Sequence, residues 1–416
     1  MKILFEIAKT QMLSRSRQTL IATLGVTFGI GMFIVLVSFM TGVNILLEET
    51  MLSATPHIRI YNDIAVQKTS IVNEYAQTQN NINLIHHIKP KNEKRNLKNG
   101  LLMVENISKD AEVLGVSPQV STQVFYNFGP IQMNGNIVGV NIFAEDKLFD
   151  LKSKMQAGKI ENLLTAHDAI LMGTGLAKKL NLNVGDKVTV STPDGTLKLL
   201  QVVGIFKYGI GAIDDFRSYA NIATVQKILK EDTRYITDIN IKLKDYYQAK
   251  SIAKEYAQKF DYKIEDWETA NATILVSFTL RNIITYATSL TLLIVAGFGI
   301  YNILNMTIYE KMRDIAILKA QGFAGRDVLG IFMIQALTIG ILGGFSGILI
   351  GFLLSLWIST IPFDSGGFLA MDTFPVNFSP RYYIIGLVFG LLTTTFAGYF
   401  PARRASKIDP VEILRG

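Results

Sequence analysis

Four stretches of this chain carry no charged side chain over a length that would span a bilayer, and that feature limits its fold more than any other. The first, Leu20 to Gly42, sits in a charge-free run between Arg17 and Glu48 and is long enough to cross about 30 Å of hydrocarbon as a helix. The second runs from Ile283 to Ile308, the third from Val328 to Phe363, and the fourth from Tyr382 to Phe400, just before Pro401 and a basic tail. The third exceeds one straight span, an excess that tilt absorbs. The first is too long for a signal-peptide core of roughly 7 to 15 residues, and no small-x-small site follows it cleanly, so it reads as a retained span. Charged residues make up only 18% of the 416 residues, below the roughly 25% of soluble proteins.

The basic residues orient these spans. Lys2, Lys9, Arg15 and Arg17 precede the first; Lys311, Arg313, Lys319 and Arg326 separate the second and third; Arg403, Arg404, Lys407 and Arg415 follow the fourth. The positive-inside rule puts all three segments in the cytoplasm. The loop from Ile361 to Pro380 contains Asp364 and Asp372 but no Lys or Arg, as expected of the opposite side. The net charge of +7 is scattered or lies beside spans, so nucleic acid is not an expected partner. The sequence divides into a cytoplasmic amphipathic segment 1–19, a first span 20–46, an extracytoplasmic domain 47–278 and a second span 279–309. A cytoplasmic helix 310–325, a third span 326–361, an outer loop 362–381, a fourth span 382–401 and a cytoplasmic tail 402–416 follow.

The long insert after the first span is predicted to be mixed α/β. Alternation in His57-Ile58-Arg59-Ile60-Tyr61 reads as a strand, and Lys187 to Val190 with Leu197 to Leu199 reads as a hairpin around Pro193-Asp194-Gly195. Ala249, Ile252, Ala253, Tyr256, Ala257 and Phe260 recur at helical spacing. A polar, Asn- and Lys-rich stretch from Gln67 to Gly100 reads as an exposed excursion. With no cysteine in the chain, this domain is held by packing alone.

Several chemistries are missing from the sequence. A phosphate-cradling loop needs G-x-x-x-x-G-K-[ST], and Gly173 to Lys178 lacks that spacing. His57, His86, His87 and His167 have no carboxylates at ligand spacing, so no metal is expected. No Asp, Glu, Lys or His lies inside the four charge-free runs, which argues against ion-coupled transport. Glycines at four-residue spacing (Gly343, Gly347 and Gly351, beside Gly340 and Gly344; Gly25 and Gly29; Gly386 and Gly390) let helices approach closely, within one chain or between subunits.

Between the second and third spans, the segment from Tyr309 to Phe323 predicts a short helix with Met312, Ile315 and Ala316 on one side and Gly322 at its end. By periodicity alone it is either a docking helix or an ordinary basic inner loop. The run E-K-M-R-D-I-A-I-L-K-A-Q-G resembles the coupling-helix motif of permeases related to FtsX, MacB and the lipoprotein-releasing transporters. The tail from Pro401 to Gly416 is similar to the C-terminal motif of that family, and the span order agrees along the whole chain. Met51 to Ile60, Val113 to Val120, Leu171 to Ala177 and Val184 to Val188 resemble the lipoprotein-releasing branch in particular. In that branch the subunit that recruits a soluble carrier has a long hook in the hairpin, whereas here only Pro193-Asp194-Gly195 joins the strands.

The resemblance implies a permease subunit of an ATP-driven (ABC, type VII) transporter in the bacterial inner membrane, both termini cytoplasmic, extracting lipoproteins for outer-membrane targeting. Its partners would be ATPase subunits that hold the ATP and Mg, a second permease subunit, identical or paralogous, and a periplasmic carrier or adaptor. This chain itself would bind no cofactor. The ATPase would dock on Glu310, Arg313, Asp314, Ile315, Ala316, Leu318 and Gly322. Acyl chains of cargo would enter between the first two spans, along Leu36, Met40, Val43 and Leu47 facing Ile274, Phe278 and Ile283, although ordinary helix packing explains the same stripe. A mechanotransmission exporter of drugs or peptides and a regulator of a cell-wall hydrolase are the rival readings.

The topology is open to test in this cysteine-free chain. Cysteines placed at Asn92 and Ser365 should react with an impermeant maleimide in intact spheroplasts, and one at Ala324 should not. Labelling at Ala324 with protection at Asn92 reverses the orientation.

Overall fold

The computed structural model describes residues 2–63, 95–166, 168–363 and 373–415. His86, His87, Asn92, His167, Asp364, Ser365 and Asp372, and the polar stretch from Gln67 up to Lys94, lie outside them. Seven helices organise one compact unit, formed by segments 1–47, 273–364 and 371–416. They are α1 (Lys2–Ser14), α2 (Ser16–Ala54), α3 (Ala272–Glu310), α4 (Met312–Ala320), α5 (Gly325–Thr360), α6 (Pro380–Ser406) and α7 (Pro410–Arg415). Four of them, α2, α3, α5 and α6, are long and apolar enough to cross a membrane. Helix α2 outlasts its apolar run because Glu48 and Glu49 are good helix formers and no proline intervenes before Pro56.

Glycines set the packing of these spans. A Cβ at Gly343 would lie 2.6 Å from Val26 Cβ, one at Gly347 2.9 Å from Ile30 Cβ, and one at Gly351 3.0 Å from Ile34 Cβ. Three β-branched residues spaced by four on α2 therefore sit over three glycines spaced by four on α5, the interlocking of equal ridges and grooves. Gly344 and Gly386 meet Leu387 and Phe33, so α6 closes against both partners. These glycines pack helices within the chain. Gly25 has nothing within 4 Å of its Cβ position.

The second unit, described within residues 48–272, is mixed α/β. Its strands are β1 (Ile58–Tyr61), β2 (Val113–Phe128), β3 (Ile131–Val140), β4 (Met155–Gly158), β5 (Ala169–Gly173), β6 (Lys187–Ser191), β7 (Leu197–Phe206), β8 (Arg217–Asn221), β9 (Asp238–Leu243) and β10 (Lys263–Asp266). They form one sheet in the order β10-β1-β9-β2-β3-β8-β5-β7-β4, with β6 pairing β2 and β7. The pairs β3–β8 and β5–β7 are parallel. Ile58 and Ile60 are fully buried, as the alternation in β1 requires. The β6–β7 hairpin turns tightly, with Gly195 N–H donating to Thr192 O (2.9 Å) and Gly195 at φ +82°. The helix Ala249–Lys259 buries Ala249, Ile252, Ala253 and Tyr256, whereas Ala257 is exposed and Phe260 lies past its end.

Polar groups inside this unit are tied together. Glu145 is buried and accepts from Ser117 Oγ (2.8 Å) and Gln119 Nε2 (2.9 Å), and burial raises its pKa. Lys242 on β9 donates Nζ to the carbonyl of Leu52 (3.0 Å), in the last turn of α2, where a cation is favoured. Burial lowers the Lys242 pKa to about 8. His57 Nδ1 accepts from Leu243 N–H (3.1 Å), and burial, then the charge of Lys242, lowers its pKa to about 4.

The glycine contact predicts a large asymmetry between two substitutions. Gly347→Val should destabilise the protein by about 1–3 kcal/mol through overpacking against Ile30, and Gly25→Ala should leave it near wild type. Thermal unfolding in detergent checks this; equal melting of the two variants would remove the glycine contact from the account.

Candidate functional site

Helix α4 ends in the way its sequence prescribes. Gly322 adopts φ +99°, its N–H donates to Lys319 O (3.1 Å), and Phe323 N–H donates to Leu318 O (3.2 Å), the paired bonds of a Schellman cap. Its two long faces differ sharply. Ile315 and Ala316 are 1% and 0% exposed, and Ile315 shares a core with Ile308 of α3, Val328 and Phe332 of α5, and Ala402 and Ala405 of α6. Lys319 Nζ donates to the carbonyls of Ser406 (3.2 Å) and Ile408 (2.5 Å), so a cation caps the end of α6 and ties the tail to α4.

The expected docking set therefore divides. Ile315 and Ala316 anchor α4 to its own chain and are not available to a partner, which corrects their assignment as contact residues. Leu318 is half-buried. Glu310 pairs with Arg15, and Asp314 accepts from Lys311 Nζ (2.7 Å). The outward face is Arg313, Ile317, Ala320 and Gln321, spaced by four, three and one. Ile317 is the apolar residue that the sequence reading passed over. It falls opposite the Met312, Ile315, Ala316 and Lys319 side of the helix, which is the available signal.

The seam between α2 and α3 is the second expected site. Leu36, Met40, Val43 and Leu47 share one face of α2 and are all half-buried. On α3 the inward face runs through Phe278, Thr285, Ser289, Leu293, Gly297 and Ile300. Ile274 lies one turn before Phe278 on that side and is 42% exposed. Ile283 is 58% exposed and lies about 140° around the helix from Phe278, so it does not extend the same stripe. Beside this seam is a polar clasp built on Arg281. Arg281 Nη1 donates to Asn44 Oδ1 (2.8 Å), Asn44 Nδ2 donates to Asn282 Oδ1 (2.8 Å), and the guanidinium of Arg281 lies 5.7 Å from the ring centre of Phe278.

Two other sequence features are absorbed by the fold. The turn at Gly173 leads into a short helix, and Thr174 Oγ1 donates to Phe206 O (2.9 Å). Among the described residues no three His, Cys, Asp or Glu side chains gather as metal ligands.

Comparison with known proteins follows the same division. The model of the MacB-like periplasmic core domain matches residues 19–259, and that of the FtsX-like permease C-terminal region matches residues 286–410. The chain is 29% identical to the lipoprotein-releasing system transmembrane protein LolC of Xylella fastidiosa, over 74% of this chain and 78% of that one. It is 27% identical to LolC of Neisseria meningitidis, over 95% and 94% of the two chains. Against LolE of Haemophilus influenzae, identity is 25% over 94% and 93%.

The two faces of α4 predict separate phenotypes. Ile315→Asp buries an unpaired charge and should lower membrane-inserted protein and its melting temperature. Ile317→Asp should leave both unchanged while reducing copurification of an ATPase partner roughly tenfold, as for loss of a contact worth about 1–2 kcal/mol. Full ATPase retention by the folded Ile317→Asp variant would move docking elsewhere.

Proposed function

The chain belongs to the family of FtsX-like permeases that carry a MacB-like periplasmic core domain, and on that premise we propose that it extracts lipoproteins from the inner membrane as the permease subunit of an ATP-driven transporter. It is a multi-pass bacterial inner-membrane protein. ATP and Mg would be held by a separate ATPase chain, and a second permease subunit would complete the complex. The likeness to relatives named both LolC and LolE, over nearly the whole chain, supports a paired arrangement of permeases.

The observation that carries the motor half of this reading is the core beneath α4. One small cluster joins α4 to the end of α3, the start of α5 and the end of α6. A push on the outward face of α4 would therefore bear on three spans together, because a close-packed core transmits displacement. The cargo half rests on the α2 face at Leu36, Met40, Val43 and Leu47, with Ile274 and Phe278 across the seam. Each acyl methylene taken up there is worth about 0.8 kcal/mol against water, so a partial cleft suffices to hold an anchor half withdrawn from the bilayer. The tight β6–β7 turn gives this chain no long hook at that hairpin, so carrier recruitment would fall to a partner subunit. The match to the MacB-like domain supports a second reading, an exporter of drugs or peptides working with an adaptor.

Photocrosslinkers at Met40 and Val43 of the assembled transporter should capture a diacylated or triacylated lipoprotein before ATP is added. Val43→Glu should cut that capture roughly tenfold, since an ionised side chain within a span costs a few kcal/mol. Crosslinks confined to the protein's own helices, with normal transport by Val43→Glu, would assign the stripe to packing and favour the exporter.

A further inference from the structure

A groove of about 490 Å³ runs along the helical unit between α3 and α6, away from the α2–α3 seam. Its floor is Gly297, where a Cβ would meet Thr393 Cγ2 at 2.8 Å. Its walls are aromatic: Phe298 and Tyr301 on α3, and Phe389, Phe396 and Phe400 on α6. Phe298, Phe396 and Phe400 are 63%, 66% and 59% exposed, so large rings face outward, uncovered by the described residues. The lining of α6 advances from Phe389 through Phe396 to Phe400 along one face, which gives the groove a length of about 16 Å parallel to the helix axis. That is the direction in which bilayer acyl chains lie.

The next turn of the same face brings Arg403 and Arg404, three and four positions beyond Phe400. Both are exposed in the last turn of α6. Neither guanidinium has a hydrogen-bond or ion-pair partner among the described residues, whereas Arg15 is held by Glu310 and Arg281 by Asn44. A hydrocarbon channel along the span that ends in two free guanidinium groups is complementary to an amphiphile with an oxyanion at one end. A second transmembrane helix, about 10–12 Å across, would cover the rings without entering the groove and would leave both arginines unpaired unless it carried carboxylates at that level.

We propose that this groove binds an anionic phospholipid, with one acyl chain lying along Gly297 between the aromatic walls and the phosphate accepting hydrogen bonds from Arg403 and Arg404. Basic residues at the ends of spans recognise anionic headgroups in this way, and Arg suits a phosphate through its paired donors. The bound lipid would brace the end of α6 that also supplies Ala402 and Ala405 to the core under α4. This site is separate from the cargo seam and stands whether or not the cargo is a lipoprotein.

Native mass spectrometry of the full-length permease, titrated with phosphatidylglycerol and phosphatidylcholine of identical acyl chains, tests the assignment. Phosphatidylglycerol should bind roughly tenfold tighter than phosphatidylcholine. Arg403→Gln with Arg404→Gln should bring the two lipids to within about twofold, and Arg403→Lys with Arg404→Lys, which keeps the charge, should retain most of the preference. Phe396→Ala should weaken both lipids by a similar factor and leave their ratio unchanged. Equal affinities in the wild type, or a preference that survives the double Gln variant, would overturn the site. A photocrosslinker at Phe396 in native membranes should capture phospholipid; capture of a second permease chain or of a lipoprotein in its place would give the groove to that occupant and reject the proposal.

Discussion

The contact on which the helical unit depends is the seating of Val26, Ile30 and Ile34 over Gly343, Gly347 and Gly351. Apolar helices gain nothing by hiding from lipid tails that are as apolar as they are, so what holds them is close contact, and close contact needs small residues. The same logic repeats on a neighbouring side of α5. There Gly340 abuts Thr394 of α6, and Gly398 of α6 abuts Ala336. Helices α2, α5 and α6 thus form a block in which backbones approach until side chains would collide. Any motion of that block is motion of a body, since a packed glycine interface has no intermediate spacing to relax into.

Helix α4 gains its meaning from this block. Its inner face is short, two buried residues, yet the cluster that Ile315 joins draws on three spans. The Schellman cap fixes where the helix stops, and Lys319 fixes where the tail runs. What remains free is one face carrying Arg313, Ile317 and Gln321. A helix fastened on one side and bare on the other is suited to receive force from outside and deliver it to the spans. The charged residues beside it contribute less, because Glu310 and Asp314 already have partners in the chain.

Much of this was legible in the residues. Charge-free runs placed the spans, because burying a charge in hydrocarbon is costly enough to leave a mark in any sequence. Alternation at Ile58 and Ile60, the turn at Gly195 and the cap at Gly322 are local signals, and each appears where the local rule puts it. The faces of α4 were harder. A period of 3.6 separates Ile315 from Ile317 but does not say which side meets the protein, and the answer depends on Val328 and Ala402, distant in sequence. The placement of Ile283 beside Phe278 failed for a simpler reason: five positions along a helix is nearly half a turn off the starting face. Contacts such as Glu145 with Gln119, or Lys242 with the end of α2, join side chains far apart in the chain and leave no periodic trace.

The magnitudes also rank the helix contacts by how readily they part. Helix α3 meets α2 where Gly29 approaches Ala296 and Leu293, and again at Asn44, Arg281 and Asn282. Hydrogen bonds between transmembrane helices average only about 0.6 kcal/mol, so the clasp sets alignment more than it resists separation. Against three successive glycine contacts between α2 and α5, the α2–α3 seam is the cheaper one to open. Beside it lies the half-buried face of Leu36, Met40, Val43 and Leu47, so parting this seam would uncover a continuous apolar stripe.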